Sequence, residues 1–211
     1  MRLYQSVGPN PRVVTMYVAE KGIAMERVFL DILAGENRQP DYLAKNPAGG
    51  SPCLQLDDGS FVAESLAICE YLEELTPASP LIGTTAKERA FARAAMRAID
   101  QNVVVPMTNG FRSAEGLAMF ESRMLCVPAA AEGNKAYARA GLAAVDASLA
   151  GKEWLCGDRF SLADILLFAW VDFGGQVGQP IPAGLDNLTA WFARAAARPS
   201  AAISADPMNG V

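Results

Sequence analysis

Residues 46–65 read NPAGGSPCLQLDDGSFVAES and contain a loop, two short extended segments and the start of a helix. In residues 53–56, CLQL, leucine alternates with cysteine or glutamine, which is the spacing of a β-strand. Asp58-Gly59 predicts a two-residue hairpin turn, and residues 61–63 predict the returning strand. The order of these signals predicts a β-hairpin that leads directly into a helix.

Two sites inside this stretch carry chemistry. Pro52 stands at the entry of the first strand, where it cannot donate a ladder hydrogen bond. An edge position or a cis Ser51-Pro52 bond accommodates it, and a bend there leaves the backbone N–H and C=O of Ser51 free to pair with an extended peptide. Glu64-Ser65 precedes an apolar run, which predicts Ser65 at a helix N-terminus, where free amides and the dipole favour a bound carboxylate.

The pattern NPxGxxP, then DDGxxxxES, then an apolar helix containing YLEE resembles the glutathione-binding half of the glutathione S-transferase superfamily. It stands here at residues 46–52, 57–65 and 71–74. The N-terminal PNPRV and AEKGI elements and a C-terminal capping stretch extend the resemblance over nearly the whole chain. Within the superfamily the chain resembles the bacterial-type, theta/delta-like cytosolic members. The resemblance implies a thioredoxin-like N-terminal domain followed by an all-helical C-terminal domain.

The segment before the hairpin has alternating strand and helix signals. Residues 2–5 predict a first strand and residues 27–33 a second. Between them, Pro11 predicts the first turn of a helix with Asn10 as its N-cap, and Gly22 predicts its end. Strand, helix, strand, connection, hairpin and helix is the order of a thioredoxin-like layer.

The composition changes after the hairpin helix. Residues 1–76 are predicted to form the thioredoxin-like domain, of α/β class. Residues 76–85, TPASPLIGTT, are rich in proline, threonine and glycine and predict an interdomain linker. Residues 86–211 show helical periodicity with almost no strand signal, which predicts an all-α second domain.

Four helices are expected in the second domain. The first is long, buries a face that includes Phe91, and is kinked or ended at Pro106. The second covers residues 128–149 with Tyr137 facing inward. The capping box Ser161-Leu162-Ala163-Asp164 opens a third helix, which is expected to be buried on all sides. A final helix is expected to end before Pro199.

The charge and residue usage exclude several classes of function. A net charge of −5 argues against a nucleic-acid partner, and the absence of histidine excludes histidine-based catalysis and histidine metal sites. The longest apolar run, residues 165–171, is too short to span a bilayer. The 4 cysteines lack CxxC spacing and the N-terminus lacks the features of a signal peptide, so we expect a reduced, cytoplasmic setting without metal.

Glutathione transfer, which the resemblance implies, requires a thiolate. Lowering the thiol pKa by about two units takes roughly 2.7 kcal/mol. The family's commonest position for a thiol-activating serine falls at Gly8, so this chain departs from the serine-type pattern. In the loop after the first strand, Asn10 is the first candidate, with its amide donating to the sulfur, and Ser6 is the second. A plain helix cap is the alternative for Asn10, and Tyr4 is expected in the core.

The resemblance also implies which residues hold glutathione. These positions are Asn37, Gly50, Ser51, Pro52, Glu64 and Ser65. Ser65 would bind the γ-glutamyl carboxylate, Glu64 would lie near the ammonium group, and the Ser51 backbone would pair with the cysteinyl part. Asn37 and Gly50 occupy positions where relatives often carry basic or imidazole groups for the glycine carboxylate; Arg38 either compensates or is a solvated loop residue.

The second substrate is expected to be a small hydrophobic electrophile. Four apolar residues either line the pocket for this electrophile or belong to the hydrophobic core: Met107, Phe111, Met119 and Phe120. Three functions remain open: conjugation, glutathione-dependent peroxidase or dehalogenase chemistry, and a binding or interaction module without turnover. A homodimer is expected, with Asp100 either at its interface or on a solvated face.

Overall fold

Residues 1–208 are described by a computed structural model. Within this part of the chain the contacts define two units: residues 1–81 together with the chain from Ala196 onward, and Ile82–Ala195. The domain spans expected from the sequence, 1–76 and 86–211, remain predictions. The units differ from them mainly because the residues after Ala196 pack with the first unit.

A four-stranded sheet forms the centre of the first unit. Its strands are β1 (Arg2–Gln5), β2 (Glu26–Phe29), β3 (Cys53–Gln55) and β4 (Phe61–Ala63). The order across the sheet is β2-β1-β3-β4, with β1 parallel to β2 and antiparallel to β3. The thioredoxin-like layer is therefore confirmed. β2 is shorter than predicted because Asp31 Oδ1 accepts hydrogen bonds from the N–H groups of Leu33 and Ala34, each at 2.9 Å, and turns the chain.

The hairpin is present, but its turn differs from the predicted one. Gly59 N–H donates to Leu56 O at 3.1 Å and Leu56 N–H donates to Ser60 O at 2.9 Å. The turn is therefore centred on Asp57-Asp58, and Gly59 follows it with φ of 86°, a conformation that glycine adopts without strain. The predicted alternation in β3 also fails, since neighbouring Cys53 and Leu54 are both fully buried.

The helices of this part are α1 (Pro9–Lys21), α2 (Pro40–Leu43) and α3 (Ser65–Leu75), with a 3-10 turn at Glu36–Arg38. α1 begins two residues earlier than predicted. Its N-cap is Gly8, and Asn10 is its second residue, so the assignment of Asn10 as N-cap is wrong. Pro9 supplies a φ suited to the first helical position, which explains the earlier start. Gly22, with φ of 63°, ends the helix as predicted.

The second unit contains helices but none of the sheet strands. These helices are α4 (Ala86–Ile99), α5 (Val105–Arg112), α6 (Leu117–Phe120), α7 (Ala131–Ser148), α8 (Leu162–Gln176) and α9 (Asp186–Ala196). A π-helical segment, Asp100–Val104, joins α4 to α5. Pro106 therefore does not end the helix, because a wider turn just before it accommodates a residue that lacks an N–H.

Two large side chains predicted to face inward do not. Phe91 is 61% exposed and Tyr137 is 62% exposed. α4 instead buries Ala92, Met96 and Ile99. In α7 a small residue forms the closest contact, since an added Cβ on Gly141 would lie 2.1 Å from Asn102 O in the π-helical segment. The backbones approach so closely there that large side chains are excluded from the contact.

The buried helix and its capping box are confirmed. Every residue from Leu162 to Val171 of α8 is buried. Asp164 Oδ2 accepts from the Ser161 N–H at 2.9 Å and from the Ser161 hydroxyl at 2.7 Å. Its Oδ1 accepts from Trp191 Nε1 at 2.9 Å, which ties α8 to α9.

A short last helix, α10 (Pro199–Ile203), was not predicted. Arg198, just before it, donates to Glu20 of α1 at 2.7 and 2.8 Å. Gln5 Nε2, at the end of β1, donates to Pro207 O at 2.6 Å. These bonds attach the end of the described chain to the first unit.

Candidate active site

The entry of β3 has the predicted bend. The Ser51-Pro52 bond is cis and Pro52 is buried. The ladder between β3 and β4 begins with Cys53 opposite Ala63, so Ser51 lies outside the paired register. The Ser51 hydroxyl oxygen is buried and has no hydrogen-bond partner within residues 1–208.

Glu64 and Ser65 connect β4 to α3 with an unusual backbone. Glu64 has φ of 72° and ψ of 121°, a conformation that costs a non-glycine residue about 1–3 kcal/mol and often marks a functional site. Ser65 is the first residue of α3, with its amide at the positive end of the helix dipole. The Glu64 carboxylate is exposed, and no hydrogen bond to it is found in the described chain.

A set of polar side chains holds the loop that leads to Ser51. Asn37 Nδ2 donates to Gly49 O at 2.7 Å, and its Oδ1 is buried without a partner among the described residues. The Gly50 carbonyl accepts from the Tyr42 hydroxyl at 2.6 Å and from Asn46 Nδ2 at 2.9 Å. Asn37 thus stabilises the loop through its hydrogen bond to Gly49. Gly50 is exposed, but its carbonyl already accepts two hydrogen bonds.

Tyr42 and Asn46 support the loop in a way that the sequence did not predict. The only signal for Asn46 is its place at the head of NPxGxxP, and the only signal for Tyr42 is an aromatic residue in a polar segment. Arg38 is exposed and donates to Ala48 O at 3.3 Å. It therefore packs on the same loop from the solvent side.

The two thiolate candidates have different environments at the start of α1. The Ser6 hydroxyl is nearly inaccessible and donates to Val7 O at 3.1 Å. The Asn10 side chain is half-exposed and has no hydrogen bond within residues 1–208. Pro9 and Pro11 lack an N–H, so Asn10 supplies the only backbone amide among the first three residues of α1. This leaves few donors besides Asn10 at the helix end.

Tyr4 lies in the core, as expected. It is 8% exposed and its ring meets those of Tyr42 and Phe61, with centroids 6.2 and 6.4 Å away. Its hydroxyl donates to Gln55 Oε1 at 3.3 Å. A tyrosine-activated thiol is therefore not supported.

The proposed pocket residues of the second unit separate into two groups. Met107 is 1% exposed and belongs to the core. Phe111 and Phe120 are half-buried and meet edge to face at 6.0 Å, and Met119 is exposed. Asp100 is paired with Arg97 at 3.0 Å on the surface of this unit.

The described residues offer neither a metal site nor a membrane span. No group of three or more acidic or cysteine side chains in residues 1–208 is placed to hold a metal ion. In the same range no helix is long and apolar enough to cross a membrane. All four cysteines are free thiols; Cys53 and Cys69 are buried, whereas Cys126 and Cys156 are partly exposed.

A cis-proline loop beside a helix N-terminus on a thioredoxin-like sheet, followed by a helical unit, is the arrangement that the resemblance to glutathione S-transferases implies. Residues 1–74 match the glutathione S-transferase N-terminal domain family, and residues 128–199 match the glutathione S-transferase C-terminal domain family. The chain belongs to the glutathione S-transferase family and is a transferase.

Individual relatives agree with this assignment. The chain is 30% identical to glutathione S-transferase 2 of Saccharomyces cerevisiae over 92% of its own length and 84% of the relative's. A glutathione S-transferase domain-containing protein from Marinobacter aquaeolei is 36% identical, with a TM-score of 0.89 over 95% of this chain and 99% of that one. A glutathione transferase homolog from Sulfitobacter, solved with bound glutathione, is 26% identical, with a TM-score of 0.77 over 95% and 94%.

Proposed function

We propose that the protein conjugates glutathione to small hydrophobic electrophiles through an activated thiolate. The observation that carries the proposal is the left-handed backbone of Glu64 at the start of α3, beside the cis Ser51-Pro52 bond. Strain of this kind persists where the surrounding structure or a ligand requires it. The bound glutathione of the Sulfitobacter homolog supports the choice of ligand.

The tripeptide is assigned to this corner of the first unit by charge and hydrogen bonding. The γ-glutamyl carboxylate binds the Ser65 amide and hydroxyl at the positive end of α3. The free carboxylate of Glu64 binds the ammonium group. The cysteinyl part pairs in an extended conformation with the Ser51 backbone, which Pro52 turns out of the ladder.

The glycine end of the tripeptide has fewer charged protein groups near it than the γ-glutamyl end. Asn37 and Gly50 stand near the glycine end in this assignment, and neither carries a charge. They contribute through the loop that they support. We assign the sulfur to Asn10, whose amide group has no competing partner in the described chain, rather than to Ser6, whose hydroxyl donates to Val7 O at 3.1 Å.

The wider setting of the enzyme follows the same family. We propose a cytoplasmic, homodimeric enzyme of the theta/delta-like kind with a detoxifying role, which binds neither nucleic acid nor membrane. Four free thiols suit a reducing compartment. An acidic net charge of −5 disfavours phosphate polymers.

The test is a pair of substitutions at the assigned pocket. Glu64→Gln keeps size and backbone but removes the charge, and Ser65→Ala removes the hydroxyl. Each should weaken glutathione binding by roughly 1–3 kcal/mol, measured by titration calorimetry. In the first variant the ammonium group loses its charged partner, and in the second the carboxylate loses one of its two hydrogen bonds. Glu74→Gln, an exposed position on α3, is the matched control and should bind normally. Unchanged affinity in both site variants would remove the pocket and, with it, this function.

A further inference from the structure

Three half-buried aromatic rings form a patch within the second unit. Phe111 of α5 lies between Phe120 of α6 and Phe173 of α8, with centroid distances of 6.0 and 5.2 Å. Trp170 continues the cluster, 5.7 Å from Phe173. The close approach of Gly116 fixes the Phe111 ring, since an added Cβ there would lie 2.9 Å from ring carbons.

A cationic side chain borders this patch. The Arg112 guanidinium carbon is 5.2 Å from the centre of the Phe120 ring. Arg112 is only partly exposed, and partial burial lowers the pKa of its guanidinium from the ordinary value. The cation is therefore partly stripped of water beside an aromatic face.

Arg112 has no carboxylate partner in the described part of the chain. In residues 1–208 no aspartate or glutamate forms an ion pair with it, and no hydrogen bond from it is found. This is notable in a chain with 23 acidic and 18 basic residues. Lys135 of the same unit, by comparison, is paired with both Glu115 and Glu132. A half-buried arginine fork that is left unpaired is suited to a planar anion.

We infer that the aromatic patch and Arg112 together select an aromatic electrophile that carries a carboxylate. The aromatic ring of the substrate packs against Phe111 and Phe120, and its carboxylate accepts two hydrogen bonds from the Arg112 guanidinium. This specificity rests on the proposed conjugation, for which it names the second substrate. Arg112 sets the choice between anionic and neutral electrophiles and takes no part in activating the thiol.

The binding experiment uses an unreactive pair, dinitrobenzoate and its methyl ester, with the full-length protein and glutathione present. Wild-type protein should bind the carboxylate more tightly than the ester. Arg112→Met should weaken carboxylate binding roughly 10- to 100-fold, the range of one or two charge-assisted hydrogen bonds, and leave the ester within about twofold. Arg139→Met, an exposed position on α7, is the matched control and should change neither affinity.

The kinetic experiment uses a chlorodinitrobenzoate and its methyl ester as electrophiles. Arg112→Met should raise KM for the carboxylate while kcat/KM for the ester stays constant, and Arg112→Lys should restore part of the difference. A merely structural role would lower Tm and affect both substrates equally, which overturns the inference. Equal affinity of the wild-type protein for the acid and the ester also overturns the inference. This comparison needs no variant, so it stands even if Arg112→Met fails to fold. Turnover of neither electrophile together with preferential binding of the acid would refute conjugation and keep the anion preference.

Discussion

Replacing Asn10 by alanine should raise the pKa of enzyme-bound glutathione. A hydrogen bond to a charged sulfur contributes about 1.5–3 kcal/mol, and one pKa unit corresponds to about 1.4 kcal/mol. The expected increase is therefore about one to two units. The surrounding helix end offers little compensation, because Pro9 and Pro11 have no N–H and only the Asn10 main-chain amide remains in the first three residues of α1.

Two measurements check this value. The ultraviolet absorbance of the bound thiolate, titrated against pH, gives the pKa directly. The rate of conjugation should fall about tenfold per unit of increase at a pH below both values, and should recover at high pH where both proteins carry a thiolate. Because Gly8 and not Asn10 caps α1, the substitution removes no cap, and Tm should change little.

Ser6→Ala is the internal comparison for the same experiment. Its hydroxyl donates to Val7 O, so its removal should leave the pKa of the sulfur unchanged. An unshifted titration in the Asn10 variant refutes the assignment of Asn10. If the Ser6 variant alone shows a higher pKa, the hydroxyl turns from Val7 to the sulfur when glutathione binds.

Two further predictions concern stability and assembly. Burial alone would raise the pKa of Glu20, but hydrogen bonds from Arg198 and Ser200 lower it in the folded protein. The stability from this lowered pKa is present above the unfolded value of about 4.3 and is lost as pH falls through the folded value. As pH falls, the free energy of unfolding of the wild type should therefore decrease more steeply than that of Glu20→Gln. Equal slopes of unfolding free energy against pH would contradict the linkage. For the proposed homodimer, sedimentation at micromolar concentration should give twice the chain mass, and a mass of 22.4 kDa would count against it.

Local chemistry made much of the fold predictable from the sequence. Gly22 ends α1 because a left-handed residue is needed there, and Ser161 with Asp164 opens α8 because both partners of a capping box are encoded together. The bend before β3 follows from Pro52 alone. Each of these features depends on residues within a few positions of one another.

The features that were missed depend on contacts between distant residues. The start of α1 is an exception, because the helix contains two prolines near its start and the local sequence does not tell which one begins it. Phe91 and Tyr137 were assigned to the core by hydrophobicity, but α4 buries Ala92, Met96 and Ile99, and α7 makes its closest contact through Gly141. The support of Gly50 by Tyr42 and Asn46 exists only once the loop has folded back on α2.

The attachment of residues 196–208 to the first unit affects the order in which the protein can be completed during synthesis. β1 and α1 are translated before the second unit, but the partners of Gln5 and Glu20 follow only after the whole second unit has been translated. Until then Glu20 lacks the cation that pairs with it, and the end of β1 lacks its hydrogen bond from Gln5 to Pro207. The first unit is thus begun before the second unit and completed only after it.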